Sequence, residues 1–305
     1  VDAREEALVA LGRALRGAGY RFETVTPATH ARVVARPSMR EARDLRGVLG
    51  WSLPFAPHVV PDAILAHLRD ADALDVLDEG RLRARVRVST LGEHLFVHSA
   101  YPTRDRDAVF FGPDTHRFAH LLVSVRRPVQ RMLDLGCGTG AGGIVLAEQA
   151  REIVLSDISP RVLSHARVNV AIAGATNATI IHADLFDGIE GRFDLIAANP
   201  PYLVDDEHRT YRDGGDALGT ALAARIVRES IPRLTRGGRL VLYTGVPIVD
   251  GRDVLCDVVV PALRAAGVHV ERDELDPDVF GEELERDVYE SVERIAAIAL
   301  IATMP

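Results

Sequence analysis

Apolar positions change their rhythm along this chain of 305 residues. Over 3–16 they recur with helical spacing, and Gly17 or Gly19 ends the run. Pro61 and Asp62 open a second helix that carries Ile64, Leu65 and Leu68 on one face, and Gly80 stops a third short helical piece. From Arg81 the period drops to two. Leu82, Ala84, Val86 and Val88 fall on one side and Arg81, Arg83, Arg85 and Arg87 on the other, which predicts a strand that turns at Gly92 into a second one over 94–99. After a polar linker over 102–107, short apolar runs at 131–135, 152–156, 179–182, 193–197 and 240–244 alternate with helical stretches. That alternation predicts an α/β unit with a doubly wound, mostly parallel sheet, and late strands at 268–270 and 289–302 bring it to seven. The chain is thus expected to divide into an N-terminal domain, 1–104, and a C-terminal α/β domain, 105–305.

The order of helices followed by a two-stranded hairpin resembles a winged-helix domain, so the N-terminal unit is expected to be helical or winged-helix-like. With 47% hydrophobic and 26% charged residues the chain is an ordinary globular one, neither disordered nor fibrous. No apolar run approaches the roughly 20 residues of a membrane span, and the opening residues lack the layout of a signal peptide, so a cytoplasmic protein is expected. Cys137 and Cys256 form neither a disulfide framework nor a metal-ligand pair. All 36 basic residues are Arg, which excludes P-loop and Schiff-base lysine chemistry. The net charge of −8 is local: residues 271–293 hold 11 acids against Arg272 and Arg286, so global acidity does not argue against a nucleic-acid partner. That stretch is expected to be a solvated loop and helix, with partner docking as the alternative.

The candidate chemistry begins at Leu133-Asp134-Leu135-Gly136-Cys137-Gly138-Thr139-Gly140, which ends the first strand of the predicted sheet and opens a helix near Ala141. Such glycines let a backbone turn tightly against a ligand at a helix N-terminus. Residues 138–143 formally fit G-x-G-x-x-G, but in that register the first glycine lies too deep for a dinucleotide turn. Asp134 at the strand tip would repel a pyrophosphate and favour the ammonium of an amino-acid moiety. Asp157, after the next strand, can accept both hydroxyls of a ribose, and Asp184, one strand further, can accept from an adenine amino group. Taken singly, each Asp is as readily a helix cap or turn residue. Three acids at consecutive strand ends resemble the class I S-adenosylmethionine-dependent methyltransferases.

The fourth strand runs into Asn199-Pro200-Pro201-Tyr202. Proline cannot donate, so carbonyls here point outward without competing bonds. The Asn199 side-chain oxygen and the Pro200 carbonyl are each expected to accept one hydrogen of a planar NH2 group, which aims its nitrogen at a methyl sulfonium, while Tyr202 stacks on the flat acceptor. This tetrapeptide is the mark of methyltransferases that act on glutamine side chains, adenine N6 or guanine N2. More of the chain, over 109–245, is similar to the release-factor glutamine methyltransferase family. Phe111-Gly112-Pro113-Asp114-Thr115 resembles its Pro-Arg-Pro-Glu/Asp-Thr segment, and Gly214-Gly215-Asp216-Ala217-Leu218-Gly219 its Gly-Gly-x-x-Gly-Leu stretch. Two departures stand out: Gly112 replaces the family Arg, and Tyr243-Thr244-Gly245 stands where Glu-x-Gly is common.

The resemblance implies S-adenosylmethionine as cofactor and no metal. It implies cofactor contacts from Pro113 and Thr115, from Asp134, Gly136, Cys137, Gly138 and Gly140, and from Asp157, Ile158, Asp184, Leu185 and Asn199. The catalytic group is Asn199, Pro200, Pro201 and Tyr202. Its acceptor is expected to be a glutamine amide of a translation-related protein; the alternatives are a base amine in rRNA or tRNA and a small-molecule amine. The period-two arginines bear on that choice. They read either as a solvated strand face in ion pairs with the acidic segment or as a surface that tracks RNA phosphates. His94, His98, His116 and His120 show no metal or triad spacing and read as core or surface residues.

Overall fold

The computed structural model describes residues 2–103 and 105–305; Val1, and Arg104 at the expected domain boundary, lie outside the described residues. The N-terminal unit begins with α1 (Ala3–Gly17), whose Asp2 and Glu5 form a reciprocal capping box. Two short helices follow, α2 (Pro27–Val34) and α3 (Leu45–Leu49), each capped by a side chain, Thr26 and Asp44. The helix predicted from Pro61 is α4 (Asp62–Asp70), and Ile64, Leu65 and Leu68 are buried as expected. The third helical piece is a single 3-10 turn at Asp78–Gly80.

The arginine-bearing run is two strands, not one. After β1 (Leu74–Val76), β2 (Leu82–Ala84) pairs back on β1, the chain breaks at Arg85, and β3 (Val86–Leu91) forms a hairpin with β4 (His94–Ser99). The break puts the arginines in different places. Arg85 reaches Asp75 at 2.7 Å, Arg81 reaches Glu41 at 3.2 Å, Arg83 is exposed and Arg87 is buried. Their ion-pair partners are therefore acids of their own unit, not the segment 271–293. The hairpin is also no free wing. Its Val97 exchanges hydrogen bonds with the buried Asn169 side chain of the catalytic unit, and α1 is tied to the same helix by Arg167 and Glu5 at 2.8 Å.

The catalytic unit adds α5 (Pro113–Ser124), β5 (Val129–Leu135), α6 (Ala141–Val145), β6 (Ala150–Asp157), α7 (Pro160–Ala173), β7 (Ala178–His182), β8 (Phe193–Ala198) and α8 (Ala221–Ser230). It closes with β9 (Leu234–Val249), β10 (Arg252–Asp253), α9 (Val254–Ala265), β11 (His269–Asp276) and β12 (Arg294–Thr303). The sheet order is β11-β12-β9-β8-β5-β6-β7, with β5 to β9 parallel and β12 inserted antiparallel to both of its neighbours, β9 and β11, so that β11 runs with the rest. This is the expected doubly wound, seven-stranded sheet, with the two-residue β10 hairpinned onto β9. Chain order reverses between β5 and β8, so the carboxyl ends of those strands face a crevice, the usual seat of a ligand in such sheets.

The acidic stretch departs from a solvated loop and helix. It starts on the edge strand β11 and continues as 3-10 turns, Gly281–Glu285 and Asp287–Tyr289, over the strand ends. Charged side chains on β11 also blunt the exposed sheet edge. Glu283 is buried and accepts from Arg212 and Arg286.

Candidate active site at the carboxyl ends of the strands

A cavity of about 730 Å³ opens at the β5/β8 switch point and runs to the N-terminal unit. Its lining contains nearly every residue singled out from sequence: Pro113, Thr115, Asp134, Gly136, Cys137 and Gly138, then Asp157, Ile158, Asp184 and Leu185, then Asn199, Pro200, Pro201 and Tyr202. Gly140 is the exception. It does not line the cavity and instead begins α6 in a left-handed conformation, φ +79°.

The loop from β5 takes its shape from Gly136 and Gly138, with φ of +67° and +54°, values that disfavour any side chain. A Cβ at either would meet nothing within 4 Å, so the backbone lies open to the cavity there. Cys137 is not a reactive thiol. It is buried, its N–H donates to Ser156 O on β6 at 2.8 Å, and burial pushes its thiol up. Asp134 is buried and accepts from Gly143 N–H at 2.8 Å; burial pushes its carboxyl up to about 7. Asp157 accepts from Gly138 N–H at 3.3 Å and from Ser159 N–H at 3.0 Å, and burial raises it too. Ile158 beside it is 53% exposed, a large apolar side chain with no core to cover it. Asp184 is exposed and sits 3.4 Å from Arg225, while Leu185 adopts φ +49°. Together these groups offer one buried and one half-buried carboxylate, free loop backbone and an apolar plate. They fit a nucleoside joined to an amino acid: ribose hydroxyls at Asp157, a flat base against Ile158, an ammonium near Asp134.

Asn199 is partly exposed, and its side-chain amide has no hydrogen-bond partner among the described residues. Tyr202 differs from the expectation that it stacks on the acceptor. Its ring is buried, lies edge-on to Phe280 at 5.8 Å, and packs so close to Gly245 that a Cβ there would come within 2.2 Å of it. Its hydroxyl donates to Asp114 at 2.6 Å. The Gly245 requirement gives a physical reason for part of the Tyr243-Thr244-Gly245 run: the tyrosine ring needs the space.

Sequence reasoning missed the hub of this arrangement. Asp114 is 6% exposed and accepts from three donors: Tyr202 Oη, Tyr243 Oη at 2.8 Å and Arg117 at 3.1 Å. Arg117 also holds Asp276 at 2.7 Å, which links the reaction loop to the acidic segment. Tyr243, the departure from the Glu-x-Gly pattern, supplies a neutral donor where a second carboxylate would repel Asp114. Past Tyr202, Asp205 pairs with Arg209 and Arg212, and Val204 N–H donates to Tyr289 Oη at 2.8 Å. The signal in sequence was the acid count of 271–293, but which of those acids turns inward depends on tertiary packing.

Comparison with known proteins agrees with this geometry. A methyltransferase small domain model matches residues 108–246. A release factor glutamine methyltransferase of Deinococcus radiodurans is 33% identical over 230 residues, covering 70% of this chain and 77% of that protein. Ribosomal RNA small subunit methyltransferase C of Actinobacillus pleuropneumoniae is 34% identical over 141 residues, covering 44% of this chain and 39% of that protein. Among solved structures, Trm5b from Pyrococcus abyssi superposes with a TM-score of 0.53 at 17% identity, covering 80% of this chain and 68% of that one.

Proposed function

The chain belongs to the family of class I methyltransferases that includes the release factor glutamine methyltransferases, and from that premise we propose that it methylates the side-chain amide nitrogen of a glutamine in a translation-related protein of the cytoplasm. The observation that carries this reading is the extent of the likeness. The glutamine enzyme's match covers 70% of the chain, more than the catalytic sheet alone, whereas the ribosomal RNA enzyme's match covers 44%. The arginine row adds support, because with Arg81 and Arg85 in ion pairs and Arg87 buried it forms no continuous phosphate-tracking face.

The donor is S-adenosylmethionine, which when bound supplies a methyl group on a positively charged sulfur. Asp157 holds the ribose, Ile158 and Leu185 flank the base, Asp184 accepts from its amino group, and Asp134 with the open backbone at Gly136 and Gly138 faces the amino-acid end. Pro113 and Thr115 bring α5 to the same end. At the acceptor, Asn199 Oδ1 and the Pro200 carbonyl each take one N–H of the amide. That grip turns the nitrogen toward the donor and stabilises the positive charge it gains as its bond to the methyl carbon forms and the sulfur–methyl bond breaks; S-adenosylhomocysteine is the leaving thioether, and the surplus N–H proton passes to solvent to restore a neutral amide. Pro201 stiffens the loop, and Tyr202, anchored on Asp114, fixes where the loop sits.

The test is to incubate the enzyme with donor carrying a labelled methyl group and cell extract, then digest. Label released by protease and not by nuclease, recovered as methylglutamine, supports the reading. Label released only by nuclease moves the acceptor to a base amine in rRNA or tRNA, and label in the small-molecule fraction moves it to a free amine.

A further inference from the structure

The cavity that reaches Asn199 is also lined, from the N-terminal unit, by His30, Arg87, His98 and Tyr101. Arg87 lies on β3 and is 3% exposed. Its Nε donates to Gly50 O at 2.8 Å, and its guanidinium stands over the Phe22 ring, 5.4 Å from the centroid. Among the described residues its buried Nη2 has no hydrogen-bond partner and no carboxylate pairs with its guanidinium. Beside it His30, equally buried, packs on Tyr101 at 4.4 Å and Trp51 at 5.4 Å, and its Nδ1 has no partner either.

A buried cation without a counter-ion is destabilising, and contact with one aromatic face offsets only part of that. Burial pushes Arg87 down to about 10, so it remains charged at neutral pH. Burial and the Arg87 charge push His30 down to about 4 and lower His98 as well, so both imidazoles are neutral and add no second charge. This wall therefore carries one positive charge with one free N–H edge, in a planar group suited to carboxylate oxygens.

We propose that this end of the cavity is a carboxylate subsite, in which Arg87, flanked by His30, pairs with a carboxylate of the acceptor while Asn199 holds the acceptor's amide. The inference rests on the glutamine reading for the molecule that brings the carboxylate. A phosphate chain fits less well: it presents charge after charge, and Arg81 and Arg85, the next cations along the chain, are spent on Glu41 and Asp75.

The experiment is calorimetry on the full chain saturated with S-adenosylhomocysteine, with glutarate, its uncharged counterpart glutaramide, and inorganic phosphate as probes. Glutarate is expected to bind and glutaramide not. Arg87→Gln should weaken glutarate at least 10-fold, and Arg85→Gln should leave it unchanged. Because Arg87→Gln could fail to fold, the unaltered protein gives a second reading: glutarate should shift the side-chain Nε resonance of Arg87. Phosphate binding tighter than glutarate overturns the carboxylate assignment. No anion binding, or binding indifferent to Arg87→Gln, overturns the subsite. The assay contains no acceptor, so its failure is distinct from that of the glutamine reading, which fails instead when label leaves with nuclease.

Discussion

The two walls of the cavity face opposite electrostatic problems. On the strand-tip wall burial drives acids upward, Asp134 to about 7 and Asp157 in the same direction. On the N-terminal wall burial drives bases downward, Arg87 to about 10 and His30 to about 4. Among the described residues neither Asp134 nor Asp157 on the first wall, nor Arg87 on the second, has an ion-pair partner, so the first invites a cationic ligand group and the second an anionic one. They also differ in construction. Asp134 and Asp157 are met by N–H groups of Gly143 in α6, of Gly138 in the loop after β5 and of Ser159 in the turn after β6, all within about twenty residues of the acids they meet. Arg87 is met by Gly50 O and Phe22, brought from far along the chain. The donor end is thus set by local backbone and the acceptor end by long-range packing.

The largest expected effect separates chemistry from binding. Asn199→Ala should lower turnover about 10²- to 10³-fold with donor affinity nearly unchanged, the scale for losing one preorganised polar contact at a reacting centre. Turnover at the wild-type rate would refute the alignment role. Next comes the hub between the walls. Asp114→Ala leaves two buried tyrosine hydroxyls without an acceptor, at about 1–3 kcal/mol each, and frees the ring that anchors the reaction loop. Thermal melting should drop by several degrees and turnover by about tenfold, more than for Asp114→Asn, which keeps an acceptor oxygen. Equal melting of Asp114→Ala and wild type would mean the three donors are satisfied elsewhere.

Asp134 offers a pH test of the acidic wall. Its unfolded carboxyl titrates near 4 and its folded one near 7, so between those values the folded state holds the extra proton. The donor-free protein should therefore lose stability as pH rises from about 4 to 7 and level off above. A cationic ligand group reverses the balance by expelling that proton. Donor affinity should then rise about tenfold from pH 6 to 8 in calorimetry, and Asp134→Asn should flatten the rise. A flat wild-type profile would show that the ammonium sits away from Asp134.

What sequence disclosed follows the same division. The alternation of apolar runs located every strand from β5 to β9, and the glycine loop and strand-end acids converge as expected, because backbone turns and period-two burial are local properties. Tyr202 was legible as a loop residue but not as an anchor, since its partners Asp114 and Gly245 are 88 and 43 positions away. Period two over 81–88 was real in burial only as far as Val86 and misleading in continuity: the chain leaves one sheet at Arg85 and joins another. No spacing rule announces that exit, nor that Arg87 turns inward while Arg83 stays out.

The smallest expected effect concerns those same arginines. If Arg83 and Arg85 tracked a nucleic-acid backbone, changing both to Gln would flatten the dependence of log affinity on log salt by roughly 1.4 units, at about 0.7 for each single-strand phosphate contact. The structure argues for almost none. Arg85 is held by Asp75 at 2.7 Å with Asp72 at 3.8 Å, so its charge is already answered inside the protein, and Arg83 stands alone. The double variant should fold normally, because Leu82, Ala84 and Val86 keep the buried side of the strands, and losing exposed ion pairs costs about 1 kcal/mol or less. RNA binding measured from low to moderate salt should be weak and its slope nearly the same in both proteins. A steep slope that the double substitution flattens would make the N-terminal unit an RNA reader and leave Arg87 as the buried end of a phosphate track, dissolving the contrast between the two walls.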